Sequence, residues 1–171
     1  MAASPVLTSL KLLVGTVMGS LVVMGAALWL VLGAGAPPLW VVVLLLVLGV
    51  VVQVVIQAVG YRVQPIPAHT DAAEVSRLAA TAFRTSLMVR LALAESVALI
   101  GLVLAFAAGH TVLGYAVGAA VSLLLLALHA WPSLRSIDRV VAALEADGAR
   151  TGLRSLLGVG GPQDGTLGPI S

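Results

Sequence analysis

Glu95 is the residue with the most chemistry to offer, because it stands in an otherwise apolar stretch, five residues after Arg90 and just ahead of a charge-free run from Ser96 to Leu134. A carboxylate in such surroundings can hold a proton or a cation. It is costly there unless it is turned into a helix bundle, hydrogen-bonded or protonated. Counted inward from the cytoplasmic end of each predicted helix (Leu12, Gly60, Leu87 and Trp131), Ser20, Gln53, Glu95 and Ser122 all lie about seven to nine residues in, roughly 10 Å deep at the helical rise of about 1.5 Å per residue. Gln53 can donate to the carboxylate, and both hydroxyls can donate or accept. These four are expected to form one polar layer, either a hydrogen-bonded clasp that fixes the fold or the site of an ion carried by Glu95. Five residues is a poor angular match on one helix, so Arg90 is expected to snorkel to the headgroups instead of pairing with Glu95. His129 and His110 can titrate near neutrality. Neither has a second ligand at HxxxH-type spacing, so no metal site is expected, and without any cysteine there is no thiolate ligand, disulfide or cysteine nucleophile.

The elements that must position these residues follow from composition. Of 171 residues, 60% are hydrophobic and 9% charged, against roughly 25% charged in a soluble domain, which excludes an ordinary soluble fold. No charge occurs from Leu12 to Tyr61 or from Ser96 to Leu134. Each gap is too long for one membrane crossing of about 20 residues and right for two. The breakers Gly33-Ala34-Gly35-Ala36-Pro37-Pro38 and Gly109-His110-Thr111 split the gaps. The fold class is therefore all-α and polytopic, with four transmembrane helices in two hairpins near 12–33, 39–60, 87–108 and 112–131. Trp29, Trp40 and Trp131 fall near helix ends, where indoles favour the interface. The first apolar run exceeds the roughly 7 to 15 residues of a signal-peptide core, so it is expected to be retained as a span.

Lys11, Arg62, Arg77, Arg84, Arg90, Arg135, Arg139, Arg150 and Arg154 all lie on one side of this layout, and both opposite turns lack Lys and Arg. The positive-inside rule then places both termini and the segment 61–86 in the cytoplasm. Asp71, with Glu74 three residues on, reads as a helix start, and the absence of Pro and Gly from there to Gly101 extends the third helix into the cytoplasm. Arg77 and Arg84 lie seven apart on one face, either contacting anionic headgroups or forming a solvated face. Ser133 can cap an amphipathic helix over 133–147, with Leu134, Ile137, Val140, Val141 and Leu144 on one face, which either packs on the third helix or lies on the membrane. The domain thus runs 1–148, and the Gly-rich stretch 149–171 reads as a flexible tail.

Helix packing in lipid favours small residues. Three stripes supply them: Gly15 and Gly19; Ala94, Ala98, Gly101 and Ala105; and Gly114, Gly118 and Ser122. The second helix has little such patterning and is expected to be the most lipid-exposed. Among soluble-enzyme motifs there is no P-loop, GxGxxG, HExxH or GxSxG, and Glu95 with Gln53 and two serines falls short of a nucleophile and base. The expectation is a non-enzymatic structural or accessory subunit with no cofactor and no nucleic-acid partner, packing in the bilayer as a homo-oligomer or on another membrane subunit. The alternative is a proton- or cation-translocating component using Glu95.

The stretch from Arg84-Thr85-Ser86 through Leu91-Ala92-Leu93-Ala94-Glu95-Ser96 to Phe106 resembles the carboxylate-bearing helix of rotary ATP synthase subunit c, and Arg62-Val63-Gln64-Pro65 resembles that family's Arg-Gln-Pro loop. The resemblance implies an ion-carrying role for Glu95. The chain departs from that family in lacking a glycine-repeat first helix and in having four spans. Its layout, with an Ala-Glu step in the third helix and a Pro-Ser start to the last one, also resembles small uncharacterised bacterial four-helix membrane proteins. That likeness implies a multi-pass protein of the bacterial inner membrane and no particular activity.

Overall fold

The computed structural model describes residues 5–109, 111–148 and 150–158. Pro5 stands in the first turn of α1 (Pro5–Val31), where a missing N–H costs nothing. Pro37 and Pro38 precede α2 (Leu39–Val59), which closes on Gly60. Asp71 starts α3 (Ala72–Ala107) by accepting from the Ala73 N–H at 3.1 Å, and the helix then runs unbroken for 36 residues. That is about 54 Å at the helical rise, well beyond a hydrocarbon core of about 30 Å. Thr111 caps α4 (Val112–Leu125) through the Leu113 N–H. A π-helical turn over Leu126–Ala130 continues it. Helices α5 (Leu134–Leu144) and α6 (Leu153–Leu156) follow. Four of these helical stretches are long and apolar enough to cross a membrane, and the described residues contain no strand.

Two compact units divide the chain, and α1 and α3 each contribute to both. The unit of residues 12–60 and 87–131 is organised around α4. Half of the α4 span is buried, against 17% of α1, 28% of α2 and 33% of α3. A Cβ on Gly118 would lie 2.9 Å from the Val97 carbonyl oxygen and 3.1 Å from Gly101 Cα, so α3 and α4 touch backbone to backbone. Ala94, Ala98 and Ala105 are fully buried, and a Cβ on Gly114 would lie 3.5 Å from Ala105 Cα. Helix α2 buries Val41, Leu45, Gly49, Val52 and Ile56, with Val121 Cγ1 only 2.5 Å from where a Gly49 Cβ would be.

Helix α1 is held by Leu28 and Leu32, which cluster with Ala105, Val112, Tyr115 and Ala119. The Tyr115 hydroxyl also donates to the Leu21 carbonyl at 2.8 Å. A Cβ added at Gly15 or Gly19 would meet nothing within 4 Å among the described residues. Helix α1, rather than α2, is thus the least enclosed, because one glycine at the right register lets α2 close on α4 while the paired glycines of α1 face outward. The two turns at this unit's far end are bonded together: the Val112 N–H donates to the Gly33 carbonyl at 3.1 Å and the Thr111 hydroxyl to the Gly35 carbonyl. Gly109, at φ 123°, takes a backbone conformation that favours glycine.

In the other unit, Ser133 and Ser136 cap α5 reciprocally. Ile137, Val140, Val141 and Leu144 are buried while Leu134 is exposed. The Ile66 N–H donates to the Leu144 carbonyl at 2.9 Å, and the Arg139 guanidinium stacks on Tyr61 at 5.2 Å. The apolar face of α5 is therefore covered by protein. Residues 150–158 also differ from the open tail read in the sequence. Thr151 bonds the Glu145 carboxylate through its N–H at 2.9 Å and its hydroxyl at 2.8 Å, Arg154 pairs with Asp138 at 2.9 Å, and Leu153 and Leu157 are buried. The two leucines are four apart, one face of a helical turn, within a stretch whose glycine content dominates its composition. Residues 159–171 lie outside the described residues.

Candidate functional site

The four residues of the expected polar layer do not form one network. The Ser20 hydroxyl is exposed and donates back to the Val17 carbonyl of its own helix at 2.8 Å, a local bond open to any helical serine. Gln53 Oε1 lies 2.7 Å from His129 Nε2 and so serves α4 rather than Glu95. Ser122 is fully buried and, among the described residues, its hydroxyl has no hydrogen-bond partner. Glu95 is half-buried and, among the described residues, has neither a hydrogen bond nor an ion pair. It lies within electrostatic reach of Tyr115.

The polar contact that does join helices is centred on Arg90. The sequence places this side chain at the headgroups, yet it is the largest fully buried side chain among the described residues. Its Nη1 donates to the His129 carbonyl at 2.8 Å. The helix end explains why that carbonyl accepts a side chain. Pro132 has no N–H, the Trp131 N–H goes to the Leu126 carbonyl at 2.9 Å in the π turn, and the Ser133 N–H goes to Ser136 Oγ at 3.2 Å. Carbonyls in the last turn of a helix are the ones open to donors from outside it, and Arg90 donates to this one. The aliphatic stem of Arg90 crosses Gly60 at the end of α2, where a Cβ would fall 2.6 Å from Arg90 Cγ. A cation thus sits where α2 and α4 both end, against the negative poles of two helix dipoles. His129 extends the contact through its ring to Gln53, so Arg90, His129 and Gln53 tie α3, α4 and α2.

No protein family, curated protein or solved structure matches this chain. The reading of its site therefore rests on geometry. Among the described residues no three His, Cys, Asp or Glu side chains are grouped to hold a metal ion, and His110 lies outside the described residues. Arg77 is exposed and paired with Glu74 at 3.1 Å, and Arg84 is exposed.

Sequence reasoning missed Arg90, His129 and Tyr115 as interior groups. A signal for Arg90 was present: the stripe Ala94, Ala98, Gly101 and Ala105 extends backward by four residues onto it. His129 stands seven after Ser122, two turns along the same face. A lone tyrosine in an apolar span needs a partner for its hydroxyl, although the partner here is a main-chain carbonyl that no side-chain pattern announces.

The pairing is checked by a double-mutant cycle in detergent. Gln53→Leu and His129→Leu should be coupled by about 0.6 to 1.7 kcal/mol, the scale of interhelical polar contacts in membranes. Gln53→Leu and Glu95→Leu should simply add. Coupling in the second pair and none in the first would restore the layer read from the sequence.

Proposed function

We propose that this protein is a non-enzymatic structural or accessory subunit of a membrane, acting as a packed four-span scaffold. The observation that carries the reading is the use made of the interior polar groups. Arg90 and His129 are committed to joining three helices, the one through a main-chain carbonyl and the other through Gln53. Among the described residues, these side-chain contacts bring no nucleophile and base together, as catalysis would require. Four apolar helices support a multi-pass placement. The charge bias supports an orientation with both termini, residues 61–86 and the amphipathic α5 in the cytoplasm, and the resemblance to small four-helix membrane proteins supports a bacterial inner membrane. The open Gly15 and Gly19 face of α1 suits association with a second copy or another membrane subunit.

A second reading is favoured by Glu95. An intramembrane acid without a hydrogen bond is functional by default, and this one sits in the stretch that resembles the ion-carrying helix of subunit c. One experiment separates the two. In proteoliposomes with an imposed pH or sodium gradient, the scaffold is expected to leave the gradient intact, and Glu95→Gln is expected to assemble with unchanged thermal stability. A flux through the wild type that Glu95→Gln abolishes would replace the scaffold with an ion-translocating component.

A further inference from the structure

A groove of about 270 Å³ opens within the unit that holds residues 1–11, 61–86 and 132–171. Its walls are apolar: Val6 and Leu10 from α1, Ala80 and Phe83 from α3, and Leu153 and Leu157 from the chain around α6. Leu10, Phe83, Leu153 and Leu157 are each more than nine-tenths buried, so the walls are fixed by packing. Two further lining residues, Arg77 and Arg84, bring charge to it. Arg77 is engaged with Glu74. Arg84 is exposed and, among the described residues, makes neither a hydrogen bond nor an ion pair.

The position of these residues along their helices identifies what reaches the groove. Leu10 is two residues from Leu12, where the first charge-free run begins, and Arg84 is three residues from Leu87, where α3 passes into the other unit. Both walls are therefore continuous with helices that enter the bilayer, at the level where headgroups begin. An apolar slot beside an available guanidinium fits a molecule with a chain at one end and a negative charge at the other. Arginine is suited to phosphate because its planar fork donates two parallel hydrogen bonds.

We propose that the groove holds one acyl chain of an anionic phospholipid whose phosphate is met by Arg84. The inference takes from the proposed function only the membrane placement. Native mass spectrometry of the full chain, extracted in detergent and titrated with phosphatidylglycerol or phosphatidylcholine of equal chain length, tests it. One bound phosphatidylglycerol is expected, retained about fivefold better than phosphatidylcholine, the factor that one arginine near the surface supplies. Arg84→Gln should remove that preference and leave chain binding in place. Ala80→Phe should fill the groove and remove both, and Ser76→Leu, at the lining residue one turn before Ala80, fills it should Ala80→Phe fail to fold. Inorganic phosphate should not compete, since the chain is required. Equal retention of the two lipids by the wild type would overturn the proposal, as would binding unchanged by the filling variants. A severalfold rise in lipid uptake on truncation after Gly158 would also overturn it, by giving the groove to the protein's own C-terminus. Loss of membrane placement would read differently, as a chain that stays in solution without detergent.

Discussion

Gly118→Leu is expected to be the most damaging single substitution in the bundle, lowering stability by about 3 kcal/mol or more. A leucine begins with the Cβ, and even that atom would lie 2.9 Å from the Val97 carbonyl oxygen and 3.1 Å from Gly101 Cα. Both neighbours are backbone, so nothing can rotate aside and α3 must move away from α4. Their separation would also strip contacts from Ala94, Ala98 and Ala105, which lie on the same fully buried stripe. Thermal unfolding in detergent measures the loss, with two controls. Gly15→Leu should be close to neutral in the monomer because nothing lies within 4 Å of that position, and Val43→Leu should be mild because Val43 is half exposed. Equal losses for all three would remove the close α3–α4 contact as the organising feature.

Arg90→Ala is expected to cost about 3 kcal/mol. It deletes a charge-assisted hydrogen bond to the His129 carbonyl, worth about 1.5 to 3 kcal/mol, and takes a cation away from two helix C-termini. It also empties a fully buried volume above Gly60. Relief of the desolvated charge opposes these losses. Arg90→Met separates the contributions, since it keeps the stem that crosses Gly60 and discards the charge, and it should cost less than about 1.5 kcal/mol. A methionine variant as unstable as the alanine one would mean that the guanidinium, rather than the volume, holds the helix ends together. A neutral alanine variant would mean that Arg90 joins nothing.

Residues with strong local rules were legible in the sequence. The four apolar stretches, the breaks at Pro37-Pro38 and Gly109, the Ser133 cap and the uninterrupted α3 follow from hydropathy, missing N–H groups and hydroxyl capping, all of which act within a few residues. The polar layer is less legible because depth along a helix carries no angle. Ser20, Gln53, Glu95 and Ser122 stand at one level, but a helix of about 3.6 residues per turn distributes a level around its circumference. Ser20 consequently faces outward while Gln53 meets His129. Arg90 was misread for a related reason. A charge near a helix end is expected to reach for water, and the His129 carbonyl at the end of the helix and the room left by Gly60 make an inward path favourable. Neither is adjacent to Arg90 in the chain.

The enclosure of α1 bears on how the protein is made. Its partners are Ala105, Val112, Tyr115 and Ala119, and the Tyr115 to Leu21 hydrogen bond spans 94 positions of the chain. In a bilayer, helices enter one after another and associate afterward, so α1, which precedes α4 in the chain, completes its contacts with Val112, Tyr115 and Ala119 only when α4 has arrived. Until then α1 must persist in lipid on its own hydrophobicity, tethered through α2. Order along the chain and order of contact are thus opposed: α2, α3 and α4 can close on one another while α1 still awaits most of its partners.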